Sequence, residues 1–286
     1  MRYRPSITLL LLTLSATGLA AQEPDFETTP IADGAYQFRY RSHNAFFIVT
    51  GQGLIAIDPI STEAAAHYAA EMKRVAPGTP LLAIVYSHDH ADHATGANVL
   101  RRVFHSDVPV IAQQRASAKL AALGDPELPP PDLTFSEQMS MHYGGRALEL
   151  HYLGPSHSDN MLVAYLPDVR VAFAVDFVAN DRVGYRDLPD YHFPEFFRSL
   201  DRLLEIPFET IVFGHGPPGD RASVIRQVGY YRDLRNAVRE AVERGWTEDE
   251  AAERIRLPAY EGWSQYEQWF PLNVRAIHRW LTAEGG

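Results

Sequence analysis

A cluster of histidines and aspartates directly follows one of the most apolar segments of the chain. Residues 88–93 read His-Asp-His-Ala-Asp-His, and only Ser87 separates them from the apolar run 81–86. Neutral imidazole and ionised carboxylate are ligands that divalent zinc, iron and manganese accept. A buried strand followed by such a turn predicts a metal site at a strand end of a layered α/β fold. A polar surface loop that is rich in histidine by chance is the weaker alternative, because the chain has only 12 His in 286 residues.

The chain contains no cysteine, which restricts the chemistry of any metal site. Disulfides and thiolate ligands are both excluded, so nitrogen and oxygen must hold the metal. These ligands suit Zn²⁺ best, and they leave iron or manganese open.

Residues 1–21 have the pattern of a secretory signal peptide. Arg2 and Arg4 precede the apolar run 7–14, and small residues at 18–21 suit cleavage. The run is too short to span a bilayer as a stable helix, although a retained membrane anchor is the alternative interpretation. We therefore expect a periplasmic or secreted protein without stable membrane insertion after cleavage. Residues 22–286 should form a single domain that is helical from about residue 220 onward.

The charge balance argues against a nucleic-acid partner. Without Arg2 and Arg4, 24 Lys and Arg oppose 36 Asp and Glu, which gives a formal charge of −12. Phosphate binding needs basic patches, and no basic run occurs in the sequence. We expect a small-molecule substrate instead. The aromatic residues of the C-terminal region either cover the substrate cleft or form an interface in a homo-oligomer; they include Trp263, Tyr266, Trp269 and Phe270.

Hydrophobic patterning predicts an α/β fold. Strands are expected at 35–40, 44–50, 54–58, 81–86, 109–112, 147–153, 161–166, 171–175 and 210–213, and helices at 62–74, 116–123, 195–204 and 265–281. Thr247 and Glu250 have the capping-box spacing of another helix start. Strands that first follow one another and then alternate with helices, twice over, indicate sheets covered by helices on their outer faces.

Three more candidate ligands follow predicted strands. His157 lies in the turn 154–160, Asp176 ends the strand at 171–175, and His215 stands in the turn after the strand at 210–213. Each residue alone would be interpreted as a solvated histidine or a turn aspartate. Their shared position after buried strands favours a common site with residues 88–93.

The ordered set of these residues resembles the metallo-beta-lactamase superfamily. The set consists of His88-x-His90-x-Asp92-His93, then His157, Asp176 and His215, with Ile57-Asp58-Pro59 at an earlier strand end. The resemblance spans roughly residues 30 to 220. It implies a four-layer αβ/βα sandwich with two metal ions in the cleft between the sheets. It further implies that His88, His90 and His157 bind the first metal, that Asp92, His93 and His215 bind the second, and that Asp176 bridges both.

The chemistry implied by this resemblance is hydrolysis by a hydroxide that bridges two divalent metal ions. Two metals about 3.5–4 Å apart lower the pKa of a shared water toward 7 and polarise the electrophile. Asp92 is the candidate catalytic residue, because it can orient the nucleophile while it serves as a ligand. Asp58 is the candidate supporting residue for a histidine ligand, and a turn-capping aspartate is the alternative. Asn44 and Ser156 are further candidates for the rim of the site.

Asp176 discriminates between branches of the family. The namesake lactamases typically carry Cys or Ser there, whereas a bridging Asp resembles the glyoxalase II, lactonase and general hydrolase branches. We therefore expect cleavage of an ester, thioester or lactone. Beta-lactam hydrolysis, a mononuclear iron persulfide dioxygenase and a non-catalytic binding module are the alternatives. Tyr191 and His192 are predicted substrate contacts, although this aromatic stretch also has residues that pack the next helix, such as Phe193.

Overall fold

Two mixed β-sheets contain the strands of residues 25–284, the part of the chain that the computed structural model describes. The strands are β1 Phe26–Ala32, β2 Ala35–Tyr40, β3 His43–Val49, β4 Leu54–Ile57, β5 Leu81–Val85, β6 Val110–Gln113, β7 Leu133–Phe135, β8 Gln138–Tyr143, β9 Arg146–Tyr152, β10 Leu162–Leu166, β11 Val171–Ala174, β12 Thr210–Phe213 and β13 Gly219–Asp220. The helices are α1 Thr62–Val75, α2 Ala91–Ala94, α3 Ala97–Phe104, α4 Gln114–Leu123, α5 Glu195–Leu203, α6 Arg221–Glu243, α7 Glu248–Arg254 and α8 Tyr266–Glu284. The predicted signal peptide lies outside the described residues.

Strand order places the ends of several strands together. The first sheet has the order β1-β2-β3-β4-β5-β6-β7, antiparallel as far as β4 and parallel from β4 to β7. The second has the order β13-β12-β11-β10-β9-β8, in which only β11 and β12 pair in parallel. Parallel neighbours end at the same edge of a sheet. The residues after β4 and β5 therefore lie together, as do those after β11 and β12.

Alternation along the strands separates two cores. On β3, Phe46 and Ile48 face the second sheet, whereas Ala45 and Phe47 belong to a core formed with α1, α3 and α4. The other face of the second sheet packs against α5, α6 and α8. The layers thus run helix, sheet, sheet, helix, and the predicted four-layer αβ/βα sandwich is confirmed.

Most elements predicted from the sequence are present. The bounds of β2 and β12 agree with the prediction, and Thr247 and Glu250 form the capping box that begins α7. Four strands were not predicted, namely β1, β7, β8 and β13, and each lies at or next to the edge of a sheet. Edge strands are half-exposed and lack a strong apolar pattern. Within residues 25–284, no helix combines the length and apolarity that crossing a membrane requires.

The contact between the sheets predicts a large stability effect. Phe46 of β3 and Phe173 of β11 stack with ring centroids 5.7 Å apart, and each is 1% exposed. Phe173→Ala would leave a cavity between the sheets, so we expect the free energy of unfolding to fall by about 3–5 kcal/mol. Urea denaturation measures this loss. Ile225→Ala is the control, because Ile225 is 53% exposed on α6 and should change stability by less than about 0.5 kcal/mol. Similar losses in both variants would contradict this role of the Phe46–Phe173 contact.

Candidate metal centre

Four strand ends converge at one edge of the sandwich. Asp58 follows β4, His88 follows β5, Asp176 follows β11 and His215 follows β12. Asp58 and Asp176 have φ angles of 55° and 59°, in the left-handed region that non-glycine residues seldom adopt. Such residues cost about 1–3 kcal/mol and persist where the surroundings hold them, often at functional sites.

The predicted ligands of the first metal come together. His88, His90, His157 and Asp176 each offer a donor atom, and these atoms lie within 4.8 Å of one another. Asp176 Oδ2 is 3.5 Å from Nε2 of His88 and 3.6 Å from Nε2 of His157. His90 Nδ1 lies 3.2 Å from His157 Nε2. The two histidines of the β5 turn and the distant His157 therefore face one point.

Asp176 also reaches the second group of predicted ligands. Its Oδ2 lies 3.2 Å from His93 Nε2, and its Oδ1 lies 3.1 Å from His215 Nε2. Donor atoms of these three residues are likewise within 4.8 Å of one another. One carboxylate thus touches both histidine groups, which is the arrangement that a bridging ligand requires.

Asp92 has a neighbour that was not among the predicted site residues. Its Oδ2 is 3.2 Å from Nε2 of His43, the first residue of β3, and the two form a further cluster with His215. This hydrogen bond holds the pKa of the Asp92 carboxyl well below its usual value. Local sequence does not mark His43. Its position follows from strand pairing, because β3 runs antiparallel to β4 and so begins beside the end of β4 at Asp58.

Asp58 orients two of the rings, as predicted for a supporting residue. It is fully buried, and it accepts hydrogen bonds from the Ser87 backbone N–H at 2.7 Å and the Ser87 hydroxyl at 2.6 Å. His93 Nδ1 lies 3.1 Å from Asp58, and His88 Nδ1 lies 2.9 Å from Ser87 Oγ. Both rings are therefore held through Nδ1, which leaves Nε2 directed at Asp176.

The first sheet also holds the turn that carries His215. Nδ1 of His215 lies 2.7 Å from the carbonyl oxygen of Ser42, so its Nε2 is free for the centre. Asn44, a predicted rim residue, is instead fully buried. Its backbone N–H donates to the Gly214 carbonyl at 2.8 Å, and its side-chain amide donates to the Gly216 carbonyl at 2.7 Å.

These residues fit a cation. His88 Nε2, His93 Nε2 and Asp176 Oδ1 are buried without a hydrogen-bond partner, and each such atom costs about 1–3 kcal/mol. Burial lowers the pKa of His88 well below its usual value, so this imidazole is neutral and presents a lone pair. Burial opposes ionisation of Asp176, but His93 and His215 hold its pKa well below the usual range. Imidazole nitrogens around an ionised carboxylate form a suitable ligand set for one or more divalent metals.

A cavity of about 450 Å³ opens onto this centre. Its lining includes metal-ligand candidates together with Arg182, Tyr185, Gln227 and Tyr231. The predicted substrate contacts Tyr191 and His192 do not line it. The Tyr191 hydroxyl donates to the Asp176 carbonyl at 3.1 Å and its ring packs edge-on against His157, so Tyr191 lies behind the ligands. His192 is exposed, and its backbone N–H donates to the carbonyl of the buried Ser156 at 2.8 Å.

The family follows from comparison with known proteins. A family model described as the metallo-beta-lactamase superfamily matches residues 39–215, the part of the chain that contains Asp58 and all seven candidate ligands. The chain belongs to this superfamily. Metal-dependent hydrolases belong to this superfamily.

Individual relatives differ in length and named activity. The chain is 27% identical over 197 residues to the 2,4-dinitroanisole O-demethylase subunit alpha of Nocardioides sp. (strain JS1661), covering 68% of this chain but only 58% of that protein. A metallo-beta-lactamase from Pontibacter korlensis superposes with a TM-score of 0.63 at 21% identity, covering 73% of this chain and 99% of the other. The sec-alkylsulfatase Pisa1 from Pseudomonas sp. gives 0.70 at 20% identity, covering 89% of this chain and 50% of the other. At these identities the structural matches show a shared fold.

The position of Asp176 predicts a loss of metal on substitution. Asp176→Asn keeps the side-chain shape but removes the charge that both histidine groups face. Loss of a residue that only supports a metal ligand lowers metal affinity by about 10- to 100-fold. We expect a larger loss of metal affinity for Asp176→Asn, because Asp176 is itself a predicted ligand. Metal per chain, measured by mass spectrometry after dialysis, tests this. Asp107→Asn is the control, since the side chain of Asp107 is fully exposed and does not line the cavity. Unchanged metal content in Asp176→Asn would contradict the bridging assignment.

The contact between His43 and Asp92 predicts a graded effect. His43→Phe removes the hydrogen bond to Asp92, so we expect about 10-fold weaker binding of the more weakly held metal. His43→Gln retains a donor and should lose less affinity. Metal titration by calorimetry measures the dissociation constants of the two metals in each variant. Thermal melts check that both variants are folded. Equal losses in the two variants would show that His43 only fills space.

Proposed function

We propose that this enzyme uses two divalent metal ions, best suited to Zn²⁺, to hydrolyse an ester, thioester or lactone. The proposal rests on one observation: the Asp176 carboxylate lies 3.1–3.6 Å from ring nitrogens of both predicted ligand groups, namely His88 and His157 of the first and His93 and His215 of the second. The full ligand set would be His88, His90 and His157 for one ion and Asp92, His93 and His215 for the other, with Asp176 shared. The signal-peptide pattern of residues 1–21 supports export to the periplasm or the medium.

The chain's own residues would prepare the site for attack by water. Two bound metals supply a water nucleophile of lowered pKa and polarise the electrophile. Asp58 and Ser87 keep the histidine rings in orientation. Asp92 is the group placed to orient the attacking water, because it lines the cavity and His43 engages its Oδ2.

Attack by a serine is the competing route to the same products. Ser42 lines the cavity, and its Oγ lies 3.2 Å from His43 Nδ1 while His43 Nε2 faces Asp92. This order resembles a nucleophile, base and carboxylate chain. The Ser42 backbone carbonyl, however, already positions His215, which gives the segment a supporting place beside the metal ligands.

A substrate panel with defined metal content tests the proposal. The panel should contain esters, thioesters and lactones. It should also contain a chromogenic cephalosporin, an alkyl sulfate and 2,4-dinitroanisole, because the names of the relatives refer to these classes of compound. We expect the highest kcat/KM within the first three classes, loss of activity with a chelator, and recovery with Zn²⁺. Ser42→Ala should keep kcat within about threefold, since water is the nucleophile.

Several outcomes would contradict this assignment. Preferred turnover of the cephalosporin would favour a beta-lactamase. One iron per chain together with oxidation of a persulfide would favour the mononuclear dioxygenase. Chelator-resistant hydrolysis that disappears in Ser42→Ala would favour the serine route.

A further inference from the structure

An arginine also lines the cavity that opens onto the candidate metal ligands. This residue, Arg182, is half-buried. Its guanidinium makes no hydrogen bond or ion pair with the residues of the described chain. The nearest carboxylate in sequence, Asp181, is taken by Arg226 through contacts of 3.0 and 3.2 Å. A half-buried guanidinium without an ion-pair partner is unusual, because desolvating a charge costs free energy that a partner normally offsets.

Stacking leaves the donors of Arg182 available. The guanidinium carbon lies 4.8 Å from the ring centroid of Trp269 on α8. Such stacking occupies the face of the guanidinium, whereas its five N–H donors point outward in the plane. Burial lowers the pKa of Arg182 and the charge of the Asp176 carboxylate opposes this shift, so the group remains protonated at neutral pH.

The segment that carries Arg182 is held in place from two sides. The Val183 N–H donates to the Ser264 carbonyl at 3.3 Å, and the Ser264 N–H donates to the Asp181 carbonyl at 2.9 Å. Gln227 donates its side-chain amide to the Arg182 carbonyl at 3.0 Å. Gln227 also lines the cavity, and its Oε1 atom is buried without a hydrogen-bond partner.

We propose that Arg182 binds an oxyanion carried by the substrate, so that the enzyme acts on anionic esters, thioesters or lactones. This inference rests on the proposed function, since it takes the same cavity as the substrate site. The metal ligands would hold the scissile group at one side while Arg182 holds a carboxylate, or a similar oxyanion, at the other. Planar N–H pairs of arginine suit the two oxygens of such a group.

Matched substrates test the role of the charge. Phenyl hydrogen adipate carries a terminal carboxylate, and methyl phenyl adipate is its neutral counterpart. With metal-replete enzyme we expect a higher kcat/KM for the anionic ester. Arg182→Met should lower kcat/KM for the anionic ester by about 10- to 100-fold and for the neutral ester by less than about threefold. Arg182→Lys should have a kcat/KM for the anionic ester between those of the wild type and Arg182→Met, because it keeps the charge without the planar N–H pair.

A matched control separates contact from long-range charge. Arg186→Met removes the same charge four residues away, from an exposed guanidinium that lies over the Tyr185 ring and does not line the cavity. It should change kcat/KM for the anionic ester by less than about threefold. Equal losses in the two Met variants, or no loss in Arg182→Met, would overturn the proposal. Thermal melts check that all variants are folded.

A binding measurement separates this inference from the proposed function. Hexane-1-sulfonate is a poor metal ligand, so its binding to metal-replete protein reports the anion site. Calorimetry should give a Kd at least about 10-fold weaker for Arg182→Met than for wild type and Arg186→Met. If this difference holds while neither ester is hydrolysed, the anion site stands and the proposed reaction is wrong. If esters are hydrolysed but the sulfonate binds all three proteins alike, the anion site is wrong.

Discussion

The carboxylate of Asp176 is buried among four imidazole rings, and the arrangement of the site depends on it. Both carboxylate oxygens lie between 3.1 and 3.6 Å from histidine nitrogens, and one has no hydrogen-bond partner. A buried carboxylate is stable only when positive charge offsets its desolvation. Metal binding would meet that demand. The left-handed backbone of Asp176 and the hydrogen bond from Tyr191 hold the carboxylate at that point.

The ligands come from both sheets, so the spacing between the sheets sets the geometry of the centre. The stacked rings of Phe46 and Phe173 hold the sheets together in the core. Nearer the site, Asn44 on β3 bonds the backbone of the His215 turn. Packing errors of about 1 Å are enough to impair a catalytic arrangement. A change in the core is therefore expected to affect metal binding as well as stability.

The central part of the fold could be predicted from the sequence because its strands are buried on both faces. β5, β10, β11 and β12 are short apolar runs that end in turn residues, and their number and order indicated layered sheets. The four strands at or near the edges could not be predicted in this way. Strand β8, for example, alternates exposed and half-buried residues and becomes a strand through its pairing with β9. Edge strands owe their conformation to a neighbour that local patterning does not reveal.

For the site, the amino-acid sequence was sufficient to predict that these histidines and aspartates lie close together, since each follows a buried strand. It also predicted that Asp58 lies next to them. The surroundings of these residues became visible only in the folded molecule. Strand pairing brought His43 to Asp92, a hydrogen bond placed Tyr191 behind Asp176, and α8 stacked Trp269 on Arg182 in the cavity wall. These contacts join residues distant in sequence, so only the packing of the sheets and helices could reveal them.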